Sequence, residues 1–143
     1  MFYHACMRIL IAEDNQILLR TLTLLMSRIK GVEIVSGHAN GQQVLNALRQ
    51  HSDIDLVISD LHMAGMGGIE LTCALKERFP MVKICLLTVE DQPEIIKQAI
   101  DAGADGYILK NAEFDQLETA MNLIAAGNKF YSPQVLTQLS KIN

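Results

Sequence analysis

No stretch of this chain approaches the roughly 20 consecutive apolar residues that span a membrane, and no charged segment followed by an apolar one reads as a signal peptide at its start. An excess of basic charge is missing as well. Lys and Arg number 12 against 16 Asp and Glu, for a formal net charge of −4. This argues against the chain binding nucleic acid on its own, because phosphate contact needs a basic face. Cysteine is scarce and unpatterned: Cys6, Cys73 and Cys85 form an odd set with no CxxC and no His-paired spacing. Cys85 lies in an apolar strand-like run and Cys73 on a predicted helix, so both read as small core or near-core hydrophobes. Unpaired thiols point to a reducing compartment, the cytoplasm. No internal repeat and no low-complexity stretch is present.

The 143 residues are 50% hydrophobic and 20% charged, the composition of one soluble globular domain and too apolar for disorder. Apolar periodicity switches between strand and helix along the whole chain. A first strand at residues 8–12 precedes a helix marked by Leu18, Leu22, Leu25, Met26 and Ile29, with Gly31 as its stop. A second strand spans residues 32–38, and a helix with Val44, Leu45 and Leu48 starts near Asn40 and Gly41. The third strand, at about residues 55–59, is followed by the turn Gly65-Met66-Gly67-Gly68. A helix then carries Leu71, Ala74, Leu75 and Phe79 and ends at Pro80. The fourth strand is about residues 83–88. Pro93 sits in the first turn of the next helix, where proline is tolerated, and Gly103 closes it. The fifth strand spans about residues 106–109, and the last helix places Phe114, Leu117, Met121 and Ile124 on one face. Five βα units predict a doubly wound parallel sheet, with the first, third and fourth strands apolar enough to be covered on both faces.

Four of these strands end on polar residues. The first runs into Glu13 and Asp14, the third into Asp60, the fourth into Thr88 and the fifth into Lys110. Taken singly each has a plain explanation: an acidic pair caps a helix, an aspartate follows a strand at a turn, a threonine caps the helix starting near Asp91, a lysine is solvated. In an open α/β sheet, however, the carboxyl ends of the strands share one crevice where ligands bind. Three carboxylates gathered there repel one another unless a cation intervenes, and hard oxygen ligands with open positions suit Mg²⁺. A carboxylate beside such a metal can attack phosphorus and form an acyl phosphate. Asp60, following the central apolar strand, is the candidate nucleophile. Thr88 and Lys110 are placed to hold phosphoryl oxygens, since this chemistry needs positioning and charge neutralisation.

These residues resemble the receiver domains of two-component response regulators over residues 7–126. The match consists of Ile11-Ala12-Glu13-Asp14, the run from Asp60 through Met63 to Gly68, Thr88, and Gly106-Tyr107 through Lys110. The resemblance implies a flavodoxin-like fold, a five-stranded parallel sheet in the order 2-1-3-4-5 with helices on both faces. It implies that Asp60 accepts a phosphoryl group from a sensor histidine kinase. Glu13, Asp14 and Asp60 would hold Mg²⁺, with the backbone carbonyl of His62 as a further ligand. Thr88 and Lys110 would contact the phosphoryl group, and Tyr107 would be the aromatic switch moving with Thr88. Such a domain is a phosphoacceptor that promotes its own phosphorylation and dephosphorylation, not a multiple-turnover enzyme. Two positions depart from the family pattern. Ala64 and Asn111 stand where many receivers have proline, which predicts a less rigid loop after Asp60 and a freer Lys110.

Gly127 to Pro133 resemble the end of the receiver in LuxR/NarL-type regulators. The expected organisation is an N-terminal extension at residues 1–6, a receiver at 7–126, and at 127–143 the start of a linker to a helix-turn-helix output domain absent from this chain. A stand-alone single-domain receiver acting through protein contacts is the alternative. The helix after the first strand and the last helix offer faces for a homodimer, with their apolar residues expected to be directed mainly into the core. Two rival chemistries are weaker. Asp60-x-His62-x-x-Gly65 fits the pattern of cobalamin-binding domains, with His62 on cobalt, but leaves Glu13, Asp14 and Lys110 unexplained. A phosphatase of the haloacid dehalogenase type wants an aspartate two positions after the nucleophile, where this chain has His62.

Overall fold

The computed structural model describes residues 6–142. Most of the expected N-terminal extension, residues 1–5, therefore lies outside the described residues, as does Asn143. The order of elements is β1 (Met7–Ala12), α1 (Gln16–Ser27), β2 (Val32–His38), α2 (Gly41–Gln50), β3 (Leu56–Ser59), α3 (Gly68–Arg78), β4 (Lys83–Thr88), α4 (Pro93–Asp101), β5 (Gly106–Leu109), α5 (Phe114–Ala125), β6 (Phe130–Tyr131) and α6 (Pro133–Leu139). All strand pairings are parallel, in the order β2-β1-β3-β4-β5-β6.

The five-stranded expectation is thus corrected to six strands. Phe130 and Tyr131 pair with Gly106 and Tyr107, and the residues read as the start of a linker include a strand and a helix that pack on the domain. Val135 of α6 is fully buried, in the same core cluster as Ile96 and Ala99 of α4 and Tyr107 of β5.

Period-two alternation explains the two cores. On β1, Leu10 and Ala12 join residues of α2, α3, α4 and α6 on one face. Ile9 and Ile11 join residues of α1 and α5 on the other. Because β2 and β3 lie on opposite sides of β1, the chain reverses its winding there, and a crevice opens beyond the carboxyl ends of β1 and β3.

Two expectations about side chains fail. Cys73 is exposed, because α3 turns Leu71, Thr72 and Leu75 toward the sheet and Cys73 away from it. Cys85 is buried as expected. Within α1 only Met26 is buried, while Ile17, Leu18 and Leu24 are exposed. The apolar residues of α1 outnumber those that one helix face can direct at the sheet, so its stripe is not confined to the core. Among the described residues, no helix is long and apolar enough to cross a membrane.

Candidate functional site

The rim begins where β1 and β3 end side by side. The Asp60 N–H donates to Ala12 O at 2.9 Å, and the Glu13 N–H donates to His38 O at 2.9 Å, so each acidic residue is fixed by the strand next to it. The expected capping role of the acidic pair belongs to its neighbour. Asn15 Oδ1 accepts from the N–H groups of Ile17 and Leu18 at 3.0 and 3.1 Å, while Glu13 Oε2 accepts from the Asn15 N–H at 3.0 Å, leaving its Oε1 to face the crevice.

Glu13 is 2% exposed, and such burial of a carboxylate requires a partner. Lys110 Nζ donates to Glu13 Oε1 at 2.8 Å and to Asp60 Oδ2 at 3.1 Å. Three residues from three strand ends thus meet at one ammonium group. Burial alone would weaken the Lys110 charge, but hydrogen bonds to Glu13 and Asp60 outweigh it and raise its pKa above the ordinary lysine value. The second oxygen of Asp60 accepts from the Leu61 N–H at 2.7 Å.

The loop after Asp60 is shaped by two glycines. Gly65 has φ of +81°, a conformation that a side chain would strain. Gly68 lies so close to the site that an added Cβ would come within 2.6 Å of Asp60 O and 2.8 Å of Leu86 Cδ2. That loop also engages Asp14, whose Oδ2 accepts from the Ala64 N–H at 3.2 Å.

Glu13, Asp60 and Lys110 are therefore brought together, whereas Asp14 faces the Ala64 backbone. Among the described residues, no three His, Cys, Asp or Glu side chains gather closely enough to hold a metal ion. The donor chemistry still fits a hard dication, because three carboxylates share the rim with only one ammonium.

Thr88 is fully buried. Its Oγ1 accepts from the Glu90 N–H at 3.2 Å, within the loop and not as a helix cap; α4 begins after Gln92, without a side-chain cap. Tyr107 is buried as well, and its hydroxyl donates to Glu90 O at 2.8 Å. Burial, followed by the charges of Glu90, Asp91 and Asp60, raises the pKa of the phenol, so it remains a donor. The His62 ring is mostly exposed, as a loop histidine would be, but its Nε2 pairs with Glu90 Oε1 at 2.8 Å. Glu90 is the residue that sequence reasoning passed over. Its main-chain bonds leave no motif to find.

Known proteins resemble this chain in sequence and in fold. The family profile described as response regulator receiver domain matches residues 9–122. Oxygen regulatory protein NreC of Staphylococcus carnosus is 33% identical over 134 residues, covering 93% of this chain and 61% of that protein. The chain thus spans less than two thirds of that relative's length. A two-component response regulator of the LuxR family from Aurantimonas sp. SI85-9A1 superposes with a TM-score of 0.89 at 26% identity, covering 96% of this chain and 97% of that one. The isolated REC domain of RcsB from Salmonella enterica serovar Typhimurium, in the presence of the phosphomimetic BeF3-, superposes with a TM-score of 0.86 at 28% identity, covering 94% of this chain and 99% of that one. RcsB bound to DNA gives a TM-score of 0.89 at 29% identity, with 96% of this chain and 69% of that one covered. Profile, relatives and fold agree: the chain belongs to the response regulator receiver-domain family, of the LuxR/NarL type.

Proposed function

We propose that the chain is a phosphorylation-controlled signalling switch, with Asp60 as phosphoacceptor and a sensor histidine kinase as its donor. The observation that carries this reading is the Lys110 ammonium bonded at once to Glu13 and Asp60. An Asp60 carboxylate oxygen attacks the phosphorus of the donor phosphohistidine. The P–N bond breaks, its electron pair returns to the imidazole, and an acyl phosphate forms on Asp60. Lys110 stays beside the transferred group and offsets its charge, and the Thr88 hydroxyl donates to one of its oxygens.

Mg²⁺ would be held by Glu13, Asp14, Asp60 and the backbone carbonyl of His62, with Asp14 turned in from Ala64. It supplies charge neutralisation at the phosphoryl oxygens. The added group brings up to about two negative charges to the rim. Thr88 and Tyr107, joined through Glu90, relay that change toward α4.

The domain belongs in the cytoplasm, and it signals rather than turning over a substrate. Its output is transcriptional, through a DNA-binding part that the linker beginning in residues 127–143 joins to the receiver. The shorter span of this chain relative to NreC and the existence of an RcsB–DNA complex support that reading. Action as a single-domain receiver through protein contacts is the second reading. A homodimer is compatible with either, given the apolar side chains exposed on α1. The cobalamin reading is disfavoured because the His62 ring is engaged by Glu90, and the phosphatase reading because residue 62 supplies no carboxylate.

Incubation with a small acyl phosphate and Mg²⁺ adds one phosphoryl mass to the protein, and Asp60→Asn abolishes it. Labelling that survives in Asp60→Asn refutes the assignment.

A further inference from the structure

Glu90 connects three strand-end segments through a single residue. Its Oε1 takes the Nε2–H of His62, two positions beyond Asp60 on the β3–α3 loop, at 2.8 Å. Its N–H donates to Thr88 Oγ1 at 3.2 Å, and its carbonyl accepts the Tyr107 hydroxyl at 2.8 Å. The second carboxylate oxygen accepts from the Gln92 N–H at 3.2 Å, closing a turn within the loop.

These bonds need something to fix them. A buried phenol requires an acceptor, and here the acceptor is a main-chain carbonyl on a loop whose flanking residues, Val89 and Asp91, are exposed. A loop with few buried apolar contacts has little order of its own. Among the described residues, the side-chain hydrogen bond that ties it to the segment carrying Asp60 is the His62–Glu90 pair.

We propose that His62 and Glu90 form a clasp that positions the β4–α4 loop, holding Tyr107 in its buried arrangement and the Thr88 hydroxyl in place before any phosphoryl group arrives. The Thr88 oxygen accepts from Glu90, so its own proton is free to be donated to a phosphoryl oxygen. The clasp thereby pre-aligns the donor. His62 and Glu90 are positioning residues and touch no reacting atom with their side chains. The inference rests on the reading of Thr88 and Tyr107 as the switch.

The test uses the full chain labelled with fluorotyrosine and followed by ¹⁹F NMR without any phosphodonor, with the Tyr107 signal assigned through Tyr107→Phe. In His62→Ala and Glu90→Ala the ratio of buried to exposed Tyr107 falls by about 1.4-fold to fivefold, the range for one partly exposed ion pair. His62→Gln, whose amide still donates to Glu90, keeps the wild-type signal. A Tyr107 signal unchanged in both alanine variants overturns the proposal. So does equal displacement in His62→Ala and His62→Gln, because bulk at residue 62 would then be the cause. Asp60 labelling is measured separately. A displaced Tyr107 signal with no labelling removes the phosphoacceptor reading and leaves the clasp, whereas labelling with an undisplaced signal does the reverse.

Discussion

Replacing Lys110 by methionine tests the centre of the site, because it removes the ammonium and keeps an apolar stem of similar length. Glu13 Oε1 and Asp60 Oδ2 are bonded to that one nitrogen at 2.8 and 3.1 Å, so the two oxygens lie within about 6 Å of each other. At an effective dielectric of about 20, two like charges at about 6 Å repel by about 3 kcal/mol. Glu13 is 2% exposed at its side chain and Asp60 12%, so solvent screens this repulsion little. Breaking a fully buried pair costs about 3–5 kcal/mol, and the partial exposure of Asp60 and Lys110 lowers the expectation for Lys110→Met to about 2–4 kcal/mol. Urea denaturation followed by circular dichroism, without divalent cations, measures it. Asp60→Asn in the Lys110→Met background removes the second charge and recovers about 2 kcal/mol or more relative to its effect in the wild type. A coupling energy below about 0.5 kcal/mol in that cycle would refute the shared-ammonium geometry.

A chain ended after residue 126 loses β6 and α6. It should unfold with about 2–4 kcal/mol less stability, since complete burial of a side chain such as Val135 contributes about 1.5–3 kcal/mol. Hydrogen exchange in α4 should accelerate at the same time, and unchanged protection of residues 93–101 would show that α6 does not brace that helix. Thiol chemistry gives a separate check. Burial pushes the Cys85 thiol up to about 12, while Cys6 and Cys73 are exposed. A thiol-reactive dye on the native protein should label two of its three cysteines, the last only after unfolding; three fast-reacting thiols would contradict the packing of β4.

The strand ends were legible in the sequence because buried parallel strands read as unbroken apolar runs, and the polar residue closing each run marks the rim. Glu13, Asp60 and Lys110 were accessible to that logic. β6 was not. Phe130-Tyr131 is too short to show a period, and its strand character comes from the edge that β5 presents to it. The helix pattern of α1 misled for a different reason: Leu18 and Met26 both fit helical spacing, yet only Met26 meets the sheet. Spacing places residues on a helix but does not say how wide a stripe the neighbouring sheet can cover. Asp14 belongs to the expected acidic set by position, and its direction toward the Ala64 N–H depends on a loop conformation that composition does not encode. Glu90 joins two backbone bonds common to every residue type with side-chain bonds to His62 and Gln92 that no spacing announces, so its place became visible only in three dimensions.

The short sixth strand also bears on self-association. A sheet edge offers unpaired N–H and C=O groups to any other strand, and native proteins blunt such edges with short strands, lysine and proline. β6 has all three: two residues, Lys129 before it and Pro133 soon after. It covers the Gly106–Tyr107 half of β5, a strand that is buried throughout and carries no charged residue. Until β6 docks, a folding chain displays that strand as an open template. The C-terminal segment therefore protects the nascent domain from pairing with its own copies, and aggregation during refolding should depend on residues outside the rim of Glu13, Asp60 and Lys110.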